Sequence, residues 1–141
     1  MTIVWTKLTS TRIAMAVFVR PATWSYDLPL FRAAASDEDE LEAMLAAIAL
    51  PRQGLWVVES RQQPVAFAWI EIHDDTLRLR RLHVATDQPA SQLLPPLFER
   101  IEEEYADAAP RLEIADASIV GADAAALQAV GIRRRGEVWV K

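Results

Sequence analysis

The sequence predicts a mixed α/β fold of the α+β kind, with a mostly antiparallel central sheet of about six to seven strands flanked by about four helices. Two observations carry this. Three stretches with strand character, Leu55 to Glu59, Val65 to Ile72 and Thr76 to Val84, follow one another across short polar turns at Arg61-Gln62-Gln63 and His73-Asp74-Asp75. That is the pattern of an antiparallel meander. On either side lie segments whose apolar residues recur at helical spacing.

In chain order, Met1 to Leu8 alternates apolar Ile3 and Trp5 with polar Thr6, while Met15-Ala16-Val17 resembles a natural translation start. Residues 1–14 are therefore expected to be an accessory segment and 15–141 a single domain. Ala14 to Arg20 reads as the first core strand, closed by Pro21, which lacks the amide that a ladder needs. Asp27 is the expected N-cap of a short helix through Ala35, with Pro29 in its first turn. Ser36-Asp37-Glu38-Asp39 approximates a capping box, followed by Leu41, Met44, Leu45 and Ile48 on one face, until Pro51 and Gly54 stop the helix. After the meander and a loop beginning at Ala85, Leu97, Phe98, Ile101 and Tyr105 form a helical stripe, with Glu99, Glu102, Glu103 and Glu104 on the wet side. Leu112 to Ala117 is an expected strand, Ala122 to Val130 a helix ended by Gly131, and Ile132 to Val140 a last strand.

Several function classes are excluded by composition. A hydrophobic fraction of 52% with 25% charged residues argues for a packed core over disorder. The formal charge of −5 gives no general attraction to nucleic acid, and the Arg78/Arg80/Arg81 and Arg133/Arg134/Arg135 clusters are too local to reverse it. Having no cysteine, the chain has no disulfide, cysteine-ligated zinc or thiol nucleophile, which fits a reducing cytoplasm. The N-terminal apolar run Ile13 to Val19 is far short of the roughly 20 residues that span a bilayer. No secretory cleavage pattern follows it, so neither a membrane nor an export role is expected. His73 and His83 lack a second ligand at recognised spacing, so no metal is expected.

Five segments in order, Phe18-Val19-Arg20-Pro21-Ala22-Thr23, Trp56-Val57-Val58-Glu59, Pro64-Val65-Ala66-Phe67-Ala68, Leu82-His83-Val84 and Gly131-Ile132-Arg133-Arg134-Arg135-Gly136-Glu137, resemble those of the GNAT (N-acetyltransferase) superfamily from about Phe18 to the end of the chain. The resemblance implies a GNAT-like fold and acyl-CoA-dependent N-acyl transfer, with acetyl-CoA or another acyl-CoA as cosubstrate and a small-molecule or peptide amine as acceptor. It implies that the strand Thr76 to Val84 carries a bulge and splays from its neighbour, so that the pantetheine arm pairs with backbone at Arg81 to Val84, that is with Leu82, His83 and Val84. The loop that follows usually holds a glycine-rich pyrophosphate cradle. This chain departs from it, placing Ala90, Gln92 and Leu94 where glycines are usual and leaving Gln88, Ser91 and Gln92 as polar contributors. Pro95 and Pro96 are expected in the first helical turn, removing amide donors from that cradle.

The usual tyrosine acid of that family falls at Leu127, which transfers no proton. The catalytic candidates are then Tyr26, at the entrance to the first helix, and Glu71 and His83 as bases; Tyr105 is expected to pack on the sheet instead. Two readings stay open: an acyl-CoA-dependent N-acyltransferase, and a non-catalytic GNAT-fold regulatory or protein-interaction module with weak or no CoA binding. Trp5, Trp24 and Trp139 near element ends offer anchors to a partner. The N-terminal strand offers an edge for a homodimer under either reading.

Overall fold

The computed structural model describes residues 17–141. The expected accessory segment 1–14 and the start of the first strand lie outside the described residues. The elements run β1 (Val17–Pro21), α1 (Trp24–Ala34), α2 (Glu38–Ala47), β2 (Gln53–Ser60), β3 (Gln63–His73), β4 (Thr76–Val84), α3 (Ala90–Tyr105), β5 (Arg111–Ala115), a 3₁₀ turn (Asp116–Ser118), β6 (Ile119–Val120), α4 (Ala124–Ala129), β7 (Arg133–Arg135) and β8 (Val138–Val140). They form one mixed, mostly antiparallel sheet of order β1-β2-β3-β4-β5-β8-β7, with β6 pairing onto β4. The fold class is the predicted one.

β2, β3 and β4 are the antiparallel meander. Its first hairpin closes from Ser60 to Gln63 across Arg61 and Gln62, both with positive φ. Such a primed turn matches the right-handed twist of the strands. The sheet separates two cores. α3 and α4 cover one face, burying Leu93, Leu94, Leu97, Phe98 and Leu127 against Leu77, Leu79, Leu82 and Val84. α1 and α2 cover the other, where Phe31 and Met44 are fully buried and Phe31 meets Phe67 edge-to-face, with ring centroids 5.1 Å apart.

Several sequence expectations need correction. α1 begins at Trp24 with Thr23 as N-cap residue. Asp27 is not the cap: it lies a turn inside, fully buried, and its carboxylate receives the Thr23 amide (2.8 Å) and both terminal nitrogens of Arg20 (2.8 and 2.7 Å). Pairing with Arg20 on the preceding strand, which the helical pattern does not show, decides its position. The cap of α2 is Asp37, one residue after the Ser36 that opens the expected capping box, and it accepts from the Glu40 amide at 2.8 Å. That helix stops at Ala47, so Ala47 joins Leu41 and Met44 in the core while Ile48 is exposed. The strand expected to reach Ala117 ends at Ala115. The helix expected over Ala122 to Val130 is only Ala124–Ala129, capped by Asp123 and closed at Gly131 (φ +83), where Ile132 donates to Leu127 O and Gly131 to Gln128 O. The expected last strand is a hairpin, β7 and β8, turning at Gly136 (φ +67).

The most consequential correction concerns α3. It starts at Ala90, so Pro95 and Pro96 lie in its second turn and its first-turn amides are intact. The prolines cost internal hydrogen bonds to the carbonyls of Ser91 and Gln92, and they remove nothing from the helix end. Leu93 and Leu94 explain the earlier start, since they extend the buried stripe of Leu97 and Phe98 back by one turn.

Candidate functional site

Where β4 leaves β5, the sheet opens. Thr76 to Leu79 pair in parallel with Arg111 to Ile114, and no residue of β5 follows β4 beyond that. At the same point the β3 pairing jumps from Ile70–Leu79 to Trp69–Arg81, which leaves Arg80 as a bulge. The bulge resets the alternation, so Leu77 and Leu79 before it and Leu82 and Val84 after it all face the α3 core. Arg78, Arg81 and His83 take the opposite face. That spacing of apolar residues is a sequence signal for the bulge.

A cleft of about 370 Å³ lies at the parting, lined by Arg78, Leu79, Arg80, Glu113, Ala115 and Ser118. Its charges are compensated. Arg78 pairs with Glu113 at 3.4 Å and Arg80 with Glu71 at 3.4 Å. Glu71 also meets His73 at 2.5 Å, and the Arg80 guanidinium stacks over Trp69, 4.0 Å from the ring centre. Arg81 instead reaches Glu40 in the first turn of α2, at 2.5 Å.

The sequence-derived candidates are not brought together. His83 stands opposite Phe67 on β3, with their rings 5.5 Å apart. Glu71 is four residues further along β3, roughly 13 Å away. Tyr26, in the first turn of α1, donates its hydroxyl to Gln62 O at 2.8 Å, at the opposite end of β3 from Glu71. Of the three, His83 is the one with a free site: its Nδ1 is buried without a hydrogen-bond partner among the described residues. Burial, and then the nearby Arg81 charge, push its pKa below the usual 6.5, so the imidazole is neutral at physiological pH. Tyr105 packs on the sheet as expected, half-buried, accepting from Trp56 Nε1 at 2.8 Å.

β4 ends at the loop into α3. Gln88 spends its amide on Ala85 O, while Gln92 and Leu93 both donate to Pro89 O. The amides of Ala90 and Ser91 remain at the helix end, where an anion is favoured, with the exposed Ser91 and Gln92 side chains beside them. Asp87, exposed and at φ +66 in the same loop, opposes an anion there. Leu127 is buried in the α3 core and offers no proton. Among the described residues, no group of three or more His, Asp or Glu is placed to hold a metal ion, and no helix is long and apolar enough to cross a membrane.

One component was not visible in the sequence. β6 pairs in parallel with the freed end of β4, Ile119 with Leu82 and Val120 with His83. Gly121 follows at φ +82, so close that a Cβ there would lie 2.1 Å from Val84 O. The Ile-Val-Gly run was the only signal: two β-branched residues and the one residue type that tolerates such an approach.

No protein-family model matches the sequence, and no curated protein does. Solved structures do match. An acetyltransferase from Thermus thermophilus superposes with a TM-score of 0.64 at 20% identity, over 89% of this chain and 96% of that one. The aminoglycoside 6'-N-acetyltransferase AAC(6')-Ih from Acinetobacter baumannii gives 0.62 at 15%, over 84% and 91%. The PaiA N-acetyltransferase from Thermoplasma acidophilum, solved in complex with coenzyme A, gives 0.61 at 10%, over 88% and 96%. The chain therefore has the fold of GNAT acetyltransferases.

Proposed function

We propose, from the GNAT fold shared with those acetyltransferases, that this chain is an acyl-CoA-dependent N-acyltransferase acting on an amine. The observation that supports it is the course of β4: bulged at Arg80, parted from β5 beyond Leu79, and leading directly into the free N-terminus of α3. The residues present fit the cosubstrate at both ends of that course. Ala90 and Ser91 amides, with the Ser91 and Gln92 side chains, would hold a pyrophosphate. The backbone from Arg81 to Val84 would hold an amide-bearing arm as an added strand, once β6 is out of the way. Acyl-CoA supplies, when bound, an acyl group activated as a thioester. Backbone N–H groups of β4 polarise a carbonyl oriented along the strand. His83, neutral and with Nδ1 free, takes the proton of the attacking amine. The cleft lined by Arg78, Arg80, Glu113 and Ser118, on the stretch of β4 that precedes His83, would admit the acceptor.

A second reading, a non-catalytic GNAT-fold module, is favoured by Leu127 in place of the tyrosine acid and by β6 covering the backbone edge. Trp24, Tyr26 and Phe18, exposed to 61%, 52% and 51%, would then be partner anchors. Titration calorimetry with acetyl-CoA, followed by thiol-release assays on polyamine, amino-acid and peptide amines, separates the two. Turnover that is lost in His83→Ala, with binding retained, supports the enzyme. Absence of acetyl-CoA binding, both by the natural protein and by a variant with β6 displaced, removes it and leaves the module.

A further inference from the structure

Resting on the acyltransferase reading, we propose that Ile119–Gly121 is an internal plug that occupies the backbone edge of β4 and must swing away before acyl-CoA binds. β4 continues beyond β5 with its edge groups unspent by the main sheet, and β6 is the element that takes them up. A chain segment of two paired residues thus does what an extended amide-bearing ligand would do at the same backbone. The approach is built in. At Gly121 the positive φ and the 2.1 Å that a Cβ would leave to Val84 O both require glycine, so the plug seats fully against β4.

The same segment is built to leave. β6 has two residues and, among the described residues, pairs with β4 alone; Val120 is 40% exposed and Ile119 only partly buried. A 3₁₀ turn precedes it, and Gly121 followed by Ala122 separates it from the Asp123 cap of α4. Swinging out the stretch between Asp116 and Asp123 leaves the long strands of the sheet, the ties of Asp116 to Trp139 and Glu137, and the Asp123 cap in place. A short ladder between two anchored ends is the kind of contact that opens locally, well before global unfolding.

A reversible lock tests this. His83 and Val120 are parallel partners, and neighbouring strands lie about 4.8 Å apart, inside the Cα range of a disulfide. The chain has no cysteine, so His83→Cys with Val120→Cys introduces the only thiols. Acetyl-CoA binding is read by calorimetry on the oxidised and reduced forms of that one protein, with circular dichroism confirming that both are folded. The expected result is binding by the reduced form and at least about tenfold weaker binding by the oxidised form. In the natural protein, hydrogen exchange with saturating acetyl-CoA is expected to deprotect the Val120 and Gly121 amides while those at the end of β4 stay protected. Should the lock not fold, Gly121→Ala replaces it, and its expected outcome is tighter acetyl-CoA binding than the natural chain. Equal binding by oxidised and reduced protein overturns the plug and leaves the acyltransferase reading intact. No binding by the reduced form, by Gly121→Ala or by the natural protein overturns both.

Discussion

Replacing Asp27 by Ala tests the long-range pairing that fixes α1 to the sheet. The Asp27 side chain is fully buried and Arg20 is 19% exposed. Arg20 reaches Asp27 through both terminal nitrogens and Glu59 through Nε at 2.9 Å, and the hydrogen bond to Asp27 is the strongest influence raising its pKa. Breaking a buried ion pair from one side costs about 3–5 kcal/mol. Glu59 still holds Arg20 in the variant, and some solvent reaches the guanidinium, which lowers the expected loss to about 2–4 kcal/mol. Urea unfolding followed by tryptophan fluorescence measures it. With a slope of about 1.5–2 kcal/mol/M for a domain of this size, the midpoint falls by roughly 1–2.7 M. A loss below about 1 kcal/mol would show the pair to be screened, and the tie between β1, β2 and α1 to be apolar packing alone. Arg20→Met combined with Asp27→Leu and Glu59→Leu is expected to recover most of the loss, because all three charges of the network then disappear together.

Three further outcomes are expected. Pro95→Ala with Pro96→Ala restores amide donors inside α3, so the melting temperature rises, by about 1–3 kcal/mol in stability terms, while acetyl-CoA binding does not change; a gain of binding would put the prolines back at the ligand. Because the folded pKa of His83 is depressed, the unfolded chain binds the proton more readily, and stability present above about pH 6.5 is lost as the pH falls through and below that value. His83→Gln flattens this slope in denaturation midpoints measured from pH 7.5 to 5. Tyr105→Phe leaves Trp56 Nε1 without its acceptor and costs about 1–2 kcal/mol in thermal unfolding; no loss would mean that water replaces the hydroxyl.

The meander and α2 were legible because their signals are local: alternation with short polar turns in one, and an Asp cap ahead of an apolar stripe in the other. Asp27 was misplaced because its partner Arg20 lies on the preceding strand, where it is also held by Glu59, 39 residues further along the chain from that arginine. The start of α3 was set too late because the glycine pattern expected of the loop drew attention away from Leu93 and Leu94, whose burial begins the helix. Ile132 to Val140 hid a hairpin whose Gly136 was readable as a turn but sat within a run of strand-compatible residues. Of the candidate site, the bulge was written in the spacing of Leu77, Leu79, Leu82 and Val84. β6 was not, since a two-residue strand has no period and its partner lies 37 residues earlier.

The position of Leu127 gives the acyltransferase reading its sharpest consequence. Leu127 is buried beneath the segment that carries β6, and beside it is a cavity of about 320 Å³ that Ile119, Ala122 and Trp139 also line. The polar lining of that cavity is Asp116 and Arg134, and Asp116 is already held by Trp139 Nε1 and Arg134. Leu127 therefore offers a departing thiolate no proton where the family's tyrosine would, and turnover in the natural chain is expected to be slow even where binding is firm. The cavity has room for a phenol ring, so Leu127→Tyr is expected to fold, at an overpacking cost of about 1–3 kcal/mol. It is also expected to raise the amine acylation rate by about a hundredfold, the lower end of what a positioned acid contributes. If Leu127→Tyr folds and binds acetyl-CoA with no change in rate, thiolate departure is not the slow step, and the limit lies with β6 opening or with proton removal at His83.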